Sequence, residues 1–262
     1  MLELIGVSKE YRVKRRGGRP CKIEAVDDVS LTFQKGESYA IVGESGSGKS
    51  TLAKLIMGLE RPSKGQILYD GQELTHVKGK ELRKLRRAFK LVFQNSGGAL
   101  NPRWKIGACI AEPLVNRHEL SQKQIQEKVK EYLELVHLPQ KTIEKLPHEL
   151  SGGEQTRVCI ARALITEPEV LILDESVSGL DTTVKKQVLD LLRMIRQQRQ
   201  YTCLFITHDM EAAIYIADNI VVMKNGKVVE SAEHIQSLDT LRADYSRQLV
   251  HSLPNIKKIM PE

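Results

Sequence analysis

Gly43-Glu44-Ser45-Gly46-Ser47-Gly48-Lys49-Ser50-Thr51 is the stretch whose reading decides the fold. It fits G-x-x-x-x-G-K-[ST], and it stands where that pattern has a mechanism. The apolar run Tyr39-Ala40-Ile41-Val42 before it reads as a short buried strand. A helical pattern from Lys49 to Met57, stopped by Gly58, comes after it. Glycines between strand and helix let backbone N–H groups converge on phosphate oxygens at the start of the helix. Lys49 supplies a positive point charge for the terminal phosphates, and the Ser50 hydroxyl suits magnesium. Glu44 does not help an anion, so its carboxylate is expected to point to solvent. A glycine-rich turn arising by chance would lack the flanking strand and helix, so the segment predicts nucleotide binding.

Outward from this loop, strands alternate with helices. Residues 1–7, about 23–33, 65–71 and Lys90-Leu91-Val92-Phe93-Gln94 read as strands. Later come Val170-Leu171-Ile172-Leu173, Thr202 to Thr207 and Ile220 to Met223, with helices from Asp181 and Asp209 between them. Asn225-Gly226 then predicts a hairpin turn. Between about 105 and 148 the pattern is helical and without strands. There Ser121 and Gln124 form a capping box, and Ile125, Val129, Tyr132, Leu133 and Val136 make one apolar face. The alternation argues an α/β core around a largely parallel sheet, interrupted by a helical insert near 95–165.

Two further segments carry chemistry. Val170-Leu171-Ile172-Leu173-Asp174-Glu175 is an apolar strand that delivers two carboxylates to the carboxyl edge of a parallel sheet, where α/β proteins bind ligands. Asp174 can hold magnesium and Glu175 can polarise an attacking water. Leu150-Ser151-Gly152-Gly153-Glu154 precedes a helix through Arg157, Ala161 and Leu164, and presents N–H groups at that helix's start. Ser151 alone would read as an ordinary N-cap; a second anion site becomes the better reading in a chain that already has one.

Composition narrows the classes. The 262 residues are 41% hydrophobic and 28% charged, which is globular and long enough for a buried core without metal or disulfide staples. Apolar runs fall far short of the roughly 20 residues a membrane-spanning helix needs. The start, Met1-Leu2-Glu3-Leu4-Ile5-Gly6, has neither the basic flank nor the apolar stretch of a signal peptide, so a cytoplasmic protein is expected. Cys21, Cys109, Cys159 and Cys203 are too scattered for a zinc or iron–sulfur site and read as small core residues. The net charge of +7 is uneven: residues 12–22 carry six basic groups and no acid, and residues 78–90 carry seven basic groups and Glu81. Such patches suit nucleic acid or an anionic membrane, but with almost no interleaved aromatics they read first as a solvated loop tip and a solvated helix face.

Taken in order, the phosphate loop, Gln94, Leu150-Ser151-Gly152-Gly153-Glu154, Asp174-Glu175, Ser178-Gly179-Leu180-Asp181 and His208 make the chain resemble the ATP-binding cassette (ABC) ATPases of membrane transporters over nearly its full length. The resemblance implies a P-loop NTPase (RecA-like) core, about 1–94 and 166–240, with an antiparallel β-subdomain, an inserted α-helical subdomain at about 95–165 and a short tail from 241. It implies ATP and Mg2+. Residues 43–51 would hold the phosphates, Tyr11 would stack on adenine, and Ser50, Gln94 and Asp174 would serve the metal. Gln94 would also sense the membrane partner, Glu175 would polarise water, His208 would contact the γ-phosphate, and Asp181 would communicate between sites. In this family two cassettes pair head to tail, and Ser151, Gly152, Gly153 and Glu154 face the partner's nucleotide. Glu154 and Thr156 depart from the commoner glutamines, which leaves phosphate contact intact and its tuning open.

Val92-Phe93-Gln94, Ala99-Leu100-Asn101-Pro102-Arg103 and Cys203 to Asp209 are similar to the peptide and nickel importers, nearest the nickel-import type. That resemblance implies a second ATPase subunit (a paralogue or a second copy), two membrane permeases, an extracytoplasmic binding protein, and a place on the cytoplasmic face of the membrane. The alternative is a cassette ATPase acting on nucleic acid or ribosomes, which usually carries fused cassettes or long insertions. A small-molecule kinase or GTPase leaves residues 150–154 and His208 unexplained.

Overall fold

The computed structural model describes residues 1–13, 21–93, 96–235 and 240–251. They form two compact units, one built from Met1–Arg86 and the segment from Thr202 onward, the other from Arg87–Tyr201. The first unit opens with β1 (Leu2–Val13), β2 (Cys21–Phe33), β3 (Ser38–Val42), α1 (Lys49–Ile56), β4 (Lys64–Tyr69), β5 (Gln72–Glu73) and most of α2 (Gly79–Ala88). The second unit holds β6 (Phe89–Val92), α3 (Ser96–Ala99), α4 (Ile106–Val115), α5 (Gln122–Leu135), α6 (Gly152–Leu164), β7 (Val170–Asp174) and α7 (Thr182–Gln198). The chain then returns to the first unit as β8 (Thr202–Thr207), α8 (Met210–Ile216), β9 (Asn219–Lys224), β10 (Lys227–Ala232) and α9 (Asp244–His251).

Two sheets organise the first unit. β2, β1, β4 and β5 form an antiparallel sheet in that order. In the second sheet β3 lies between β8 and β9, parallel to both, and β10 runs antiparallel along β9. All five residues of β3 and all six of β8 are buried, as strands covered on both faces require. This is why Tyr39 to Val42 reads as an unbroken apolar run rather than an alternating one. α1 ends as its glycine signalled: Leu59 N–H donates to Lys54 O and Gly58 N–H to Leu55 O, a Schellman closure.

The second unit pairs β6 with β7 in parallel, Phe89 opposite Val170 and Val92 opposite Leu173. Around this pair stand the helices. The Ser121 and Gln124 capping box opens α5, and Ile125, Val129, Tyr132 and Leu133 on that helix, with Val136 just after it, are buried. Arg199 donates to the Tyr132 hydroxyl and lies over its ring at 4.7 Å, tying α5 to the end of α7. Burial pushes the Tyr132 hydroxyl up to about 12, so it stays neutral in this contact. All four cysteines are reduced thiols; three are buried, and burial raises Cys159 to about 12. The basic segment 78–90 falls largely on α2, where Lys80, Arg83, Lys84, Arg86 and Arg87 are exposed and Leu85 is buried. Residues 14–20 of the other basic segment, and Gln94, lie outside the described residues. Among the described residues no helix is long and apolar enough to cross a membrane.

The β9–β10 hairpin braces the phosphate loop. Its turn residues Asn225 and Gly226 have φ of 49° and 82°, the two positive values a two-residue turn of this hand demands. Gly226 N–H donates to Ser47 O at 3.0 Å and Gly226 O accepts from Asp27 N–H at 2.9 Å. The turn therefore links the phosphate loop to β2. Gly226→Val forces a β-branched residue into this conformation and should lower stability by about 1–3 kcal/mol. Urea unfolding checks it: an unmoved midpoint would mean the turn does not require positive φ.

Candidate functional site

The loop 43–48 leaves the carboxyl end of β3 and enters α1 through Gly48, the N-cap, with φ of 103°. A side chain there is forbidden twice over, because a Cβ would also stand 2.2 Å from Ala25 O. No side chain caps α1 and its first turn holds no acid. A helix start of this kind suits an anion, which the positive end of the helix dipole favours.

Lys49 is 4% exposed, and its Nζ donates to Gly43 O at 2.7 Å, Glu44 O at 2.8 Å and Ser47 Oγ at 3.2 Å. The loop thus satisfies the ammonium with its own oxygens. Ser50 and Thr51 lie in the first turn of α1, and Glu44 and Ser45 are exposed. Val42 pairs with Thr207 in the parallel register of β3 and β8. Gly43 and His208 therefore leave the same sheet edge, one residue beyond paired positions, and His208 is exposed there. Asp209 N–H donates to Thr207 Oγ1 at 3.0 Å, and Asp209 caps α8 through Ala212 N–H, which fixes the turn carrying His208.

Tyr11 sits near the same helix. Its hydroxyl donates to Glu60, and Lys9 Nζ lies 5.2 Å from the ring centroid. Desolvation and then the Glu60 hydrogen bond raise its pKa, with a contact to Thr51 acting the other way. Thr51 belongs to the first turn of α1, so Tyr11 stands beside the start of that helix.

In the second unit Asp174 closes β7 at 9% exposure, and Glu175 comes next with φ of 47°. A left-handed backbone at a glutamate is strained, a feature that clusters at functional positions. No pattern in the sequence signals it. Asp181 is the N-cap of α7 and accepts from Val184 N–H at 2.9 Å. Gly152 and Gly153 begin α6, and a Cβ on Gly153 would fall 2.2 Å from Val184 Cγ1. The second glycine is thus required for the close approach of α6 and α7 as well as for any anion.

Ser151 caps α6, and Glu154 returns the bond: Ser151 N–H donates to its carboxylate at 2.8 Å and the Ser151 hydroxyl at 2.9 Å. The departure from glutamine leaves a charged capping box. The backbone hydrogen bond from Ser151 holds the Glu154 carboxyl below its ordinary value, against a smaller opposing effect of burial.

A strand–glycine loop–helix unit with a buried lysine, a parallel sheet around it and a paired acid at another strand end define a P-loop nucleotide hydrolase. The family model described as ABC transporter matches residues 26–178. The chain is 39% identical over 232 residues to the oligopeptide transport ATP-binding protein OppF of Lactococcus lactis, covering 88% of this chain and 73% of that one. It is 37% identical over 257 residues to the dipeptide transport ATP-binding protein DppF of Escherichia coli, covering 98% and 77%. The nickel import ATP-binding protein NikE of Brucella suis is 38% identical over 243 residues, covering 93% and 91%. Among solved structures, the dimeric post-hydrolysis state of the ATP-binding cassette MJ0796 bound to ADP and Pi matches with a TM-score of 0.79 and 29% identity, over 90% of this chain and 99% of that one. The chain belongs to the ABC transporter family, as one of its ATP-hydrolysing cassettes.

A depressed folded pKa stabilises the fold above the ordinary glutamate range, and that contribution is lost as pH falls through the lowered value. Glu154→Gln removes it. Stability of the variant, followed as the urea midpoint from pH 6 down to about 3, should fall less steeply than that of the parent. Identical slopes would show that the cap does not depend on an ionised carboxylate.

Proposed function

We propose that this chain is the ATP-hydrolysing subunit of an importer for di- or oligopeptides, nickel or a metal chelate. The observation that carries the ATPase chemistry is the shared edge of β3 and β8, where the phosphate loop and His208 emerge from adjacent parallel strands in register. Import and its cargo classes rest on the peptide and nickel transport relatives, which favour this reading over a nucleic-acid or ribosome partner.

Lys49 turns from the loop carbonyls to the terminal phosphates when nucleotide enters, exchanging one set of oxygens for another without leaving its charge unpaired. The α1 N–H groups and residues 43–51 hold the phosphate oxygens, and Tyr11 stacks on adenine. By the family resemblance the Ser50 hydroxyl and the Asp174 carboxylate are assigned to magnesium, hard oxygens of the kind that ion takes along with phosphate. Gln94 is assigned to the same ion. Magnesium, when bound with ATP, would neutralise phosphate charge. Glu175 orients and polarises the attacking water, and His208 steadies the γ-phosphate. Ser151, Gly152, Gly153 and Glu154 serve the nucleotide of a second cassette, with Asp181 communicating between the two sites, so one chain contributes two half-sites.

The partners are a second cassette, identical or paralogous, and two permeases at the cytoplasmic face of the membrane, with an extracytoplasmic binding protein acting through them. The groove of about 690 Å³ in the second unit, lined by Lys90, Val92, Phe93, Glu112 and Arg162, offers a mixed apolar and charged seat for a permease segment.

In vesicles that hold this chain with its permeases, ATP should drive uptake of a labelled dipeptide or of nickel ion. Glu175→Gln should bind Mg–ATP as the parent does while hydrolysis falls by about a hundredfold or more. Near-normal turnover in that variant removes Glu175 from its role, and ATP hydrolysis that never couples to either cargo class removes the importer reading.

A further inference from the structure

α9 lies far along the chain from the phosphate loop, yet it touches it. The Tyr245 hydroxyl accepts a hydrogen bond from Glu44 N–H at 3.3 Å, and the tyrosine is 7% exposed. Its ring lies under the ammonium of Lys224, 4.1 Å from the centroid. Lys224 is the last residue of β9, next to the turn that also holds Ser47 O through Gly226 N–H. The start of α9 is fixed by the other arm of the hairpin: the Glu230 carboxylate accepts from Arg242 N–H at 2.6 Å and from Ala243 N–H at 3.2 Å. One hairpin therefore supports the loop directly and carries the helix that supports it a second time.

We propose that Tyr245 is a positioning residue for the nucleotide, holding the Gly43–Glu44 peptide so that the phosphate loop keeps its binding shape when Lys49 leaves it. A trans peptide points its C=O and N–H in opposite directions. Gly43 O accepts from Lys49 on one side, and Glu44 N–H donates to Tyr245 on the other. The peptide is pinned from both sides, and each bond polarises it in favour of the other. Entry of a phosphate draws Lys49 away, which removes one pin at the moment the loop must stay in place. Tyr245 is the pin that remains, because it touches the N–H and none of the atoms that face the phosphate.

This rests on the phosphate-loop reading, so Tyr245→Phe and Lys49→Ala are measured side by side on the full chain. Tyr245→Phe keeps the ring under Lys224 and removes only the hydroxyl. Loss of one neutral hydrogen bond should weaken Mg–ATP affinity by about three- to tenfold. KM for ATP should rise with kcat nearly unchanged, and the melting temperature of the nucleotide-free protein should not move. Amide exchange at Glu44 should become faster while α9 keeps its protection. Lys224→Gln, which loosens the ring and leaves the loop intact, should shift the same readouts the same way by less, and it serves if the phenylalanine variant folds poorly.

Wild-type affinity in Tyr245→Phe beside lost affinity in Lys49→Ala overturns the positioning role. So does a weakened affinity that appears only with a lowered melting temperature in both Tyr245→Phe and Lys224→Gln. Unchanged affinity in Tyr245→Phe and Lys49→Ala alike overturns the phosphate-loop reading, and this inference with it.

Discussion

A lysine ammonium that is almost wholly buried must be met by oxygens, and the geometry around the phosphate loop results from meeting it. Lys49 draws the carbonyls of Gly43 and Glu44 inward. A trans peptide whose carbonyl turns in points its N–H the other way, and Glu44 N–H meets the Tyr245 hydroxyl. The loop can take this course only because β3 delivers it from a fully buried strand and Gly48 passes within contact of Ala25. Charge burial, backbone polarity and the close approach of β2 are thus one constraint seen from three sides.

The helix starts divide on the same physics. α5, α6, α7 and α8 satisfy their first N–H groups with Ser121, Ser151, Asp181 and Asp209. α1 differs: its N-cap is Gly48, which makes no side-chain hydrogen bond, and a helix start of that kind suits an anion. α6 stands between the two cases. Its Ser151 donors are engaged by Glu154, a charged carboxylate rather than an amide. A glutamine would offer those donors a neutral acceptor, so this position sets the charge of the α6 cap.

Support for the loop comes from parts of the chain remote in sequence. The β9–β10 turn holds Ser47, Asp209 and Thr207 set the turn bearing His208, and Tyr245 meets Glu44. Each of these is a hydrogen bond that fixes a backbone group at the edge where the loop emerges. They explain how a glycine-rich segment, which loses much conformational entropy on ordering, keeps one shape.

Residues alone determined the elements whose signals are local. The strand–loop–helix around Gly43 to Thr51, the capping box of Ser121 and Gln124, the stop at Gly58 and the turn at Asn225-Gly226 were all legible, because each depends on neighbours within a few positions. Burial of Tyr132 and its companions was legible from helical spacing in the same way. What only the tertiary structure decided depends on long-range approach: the register that sets Gly43 beside His208, the strained φ of Glu175, and the contact that makes Gly153 indispensable to Val184. Sequence shows that Glu44 is an odd residue for an anion site, but not that Tyr245 holds its N–H. A hydrogen bond between residues 44 and 245 leaves no periodicity for a reader to find, since it exists only once the hairpin has brought α9 to the loop.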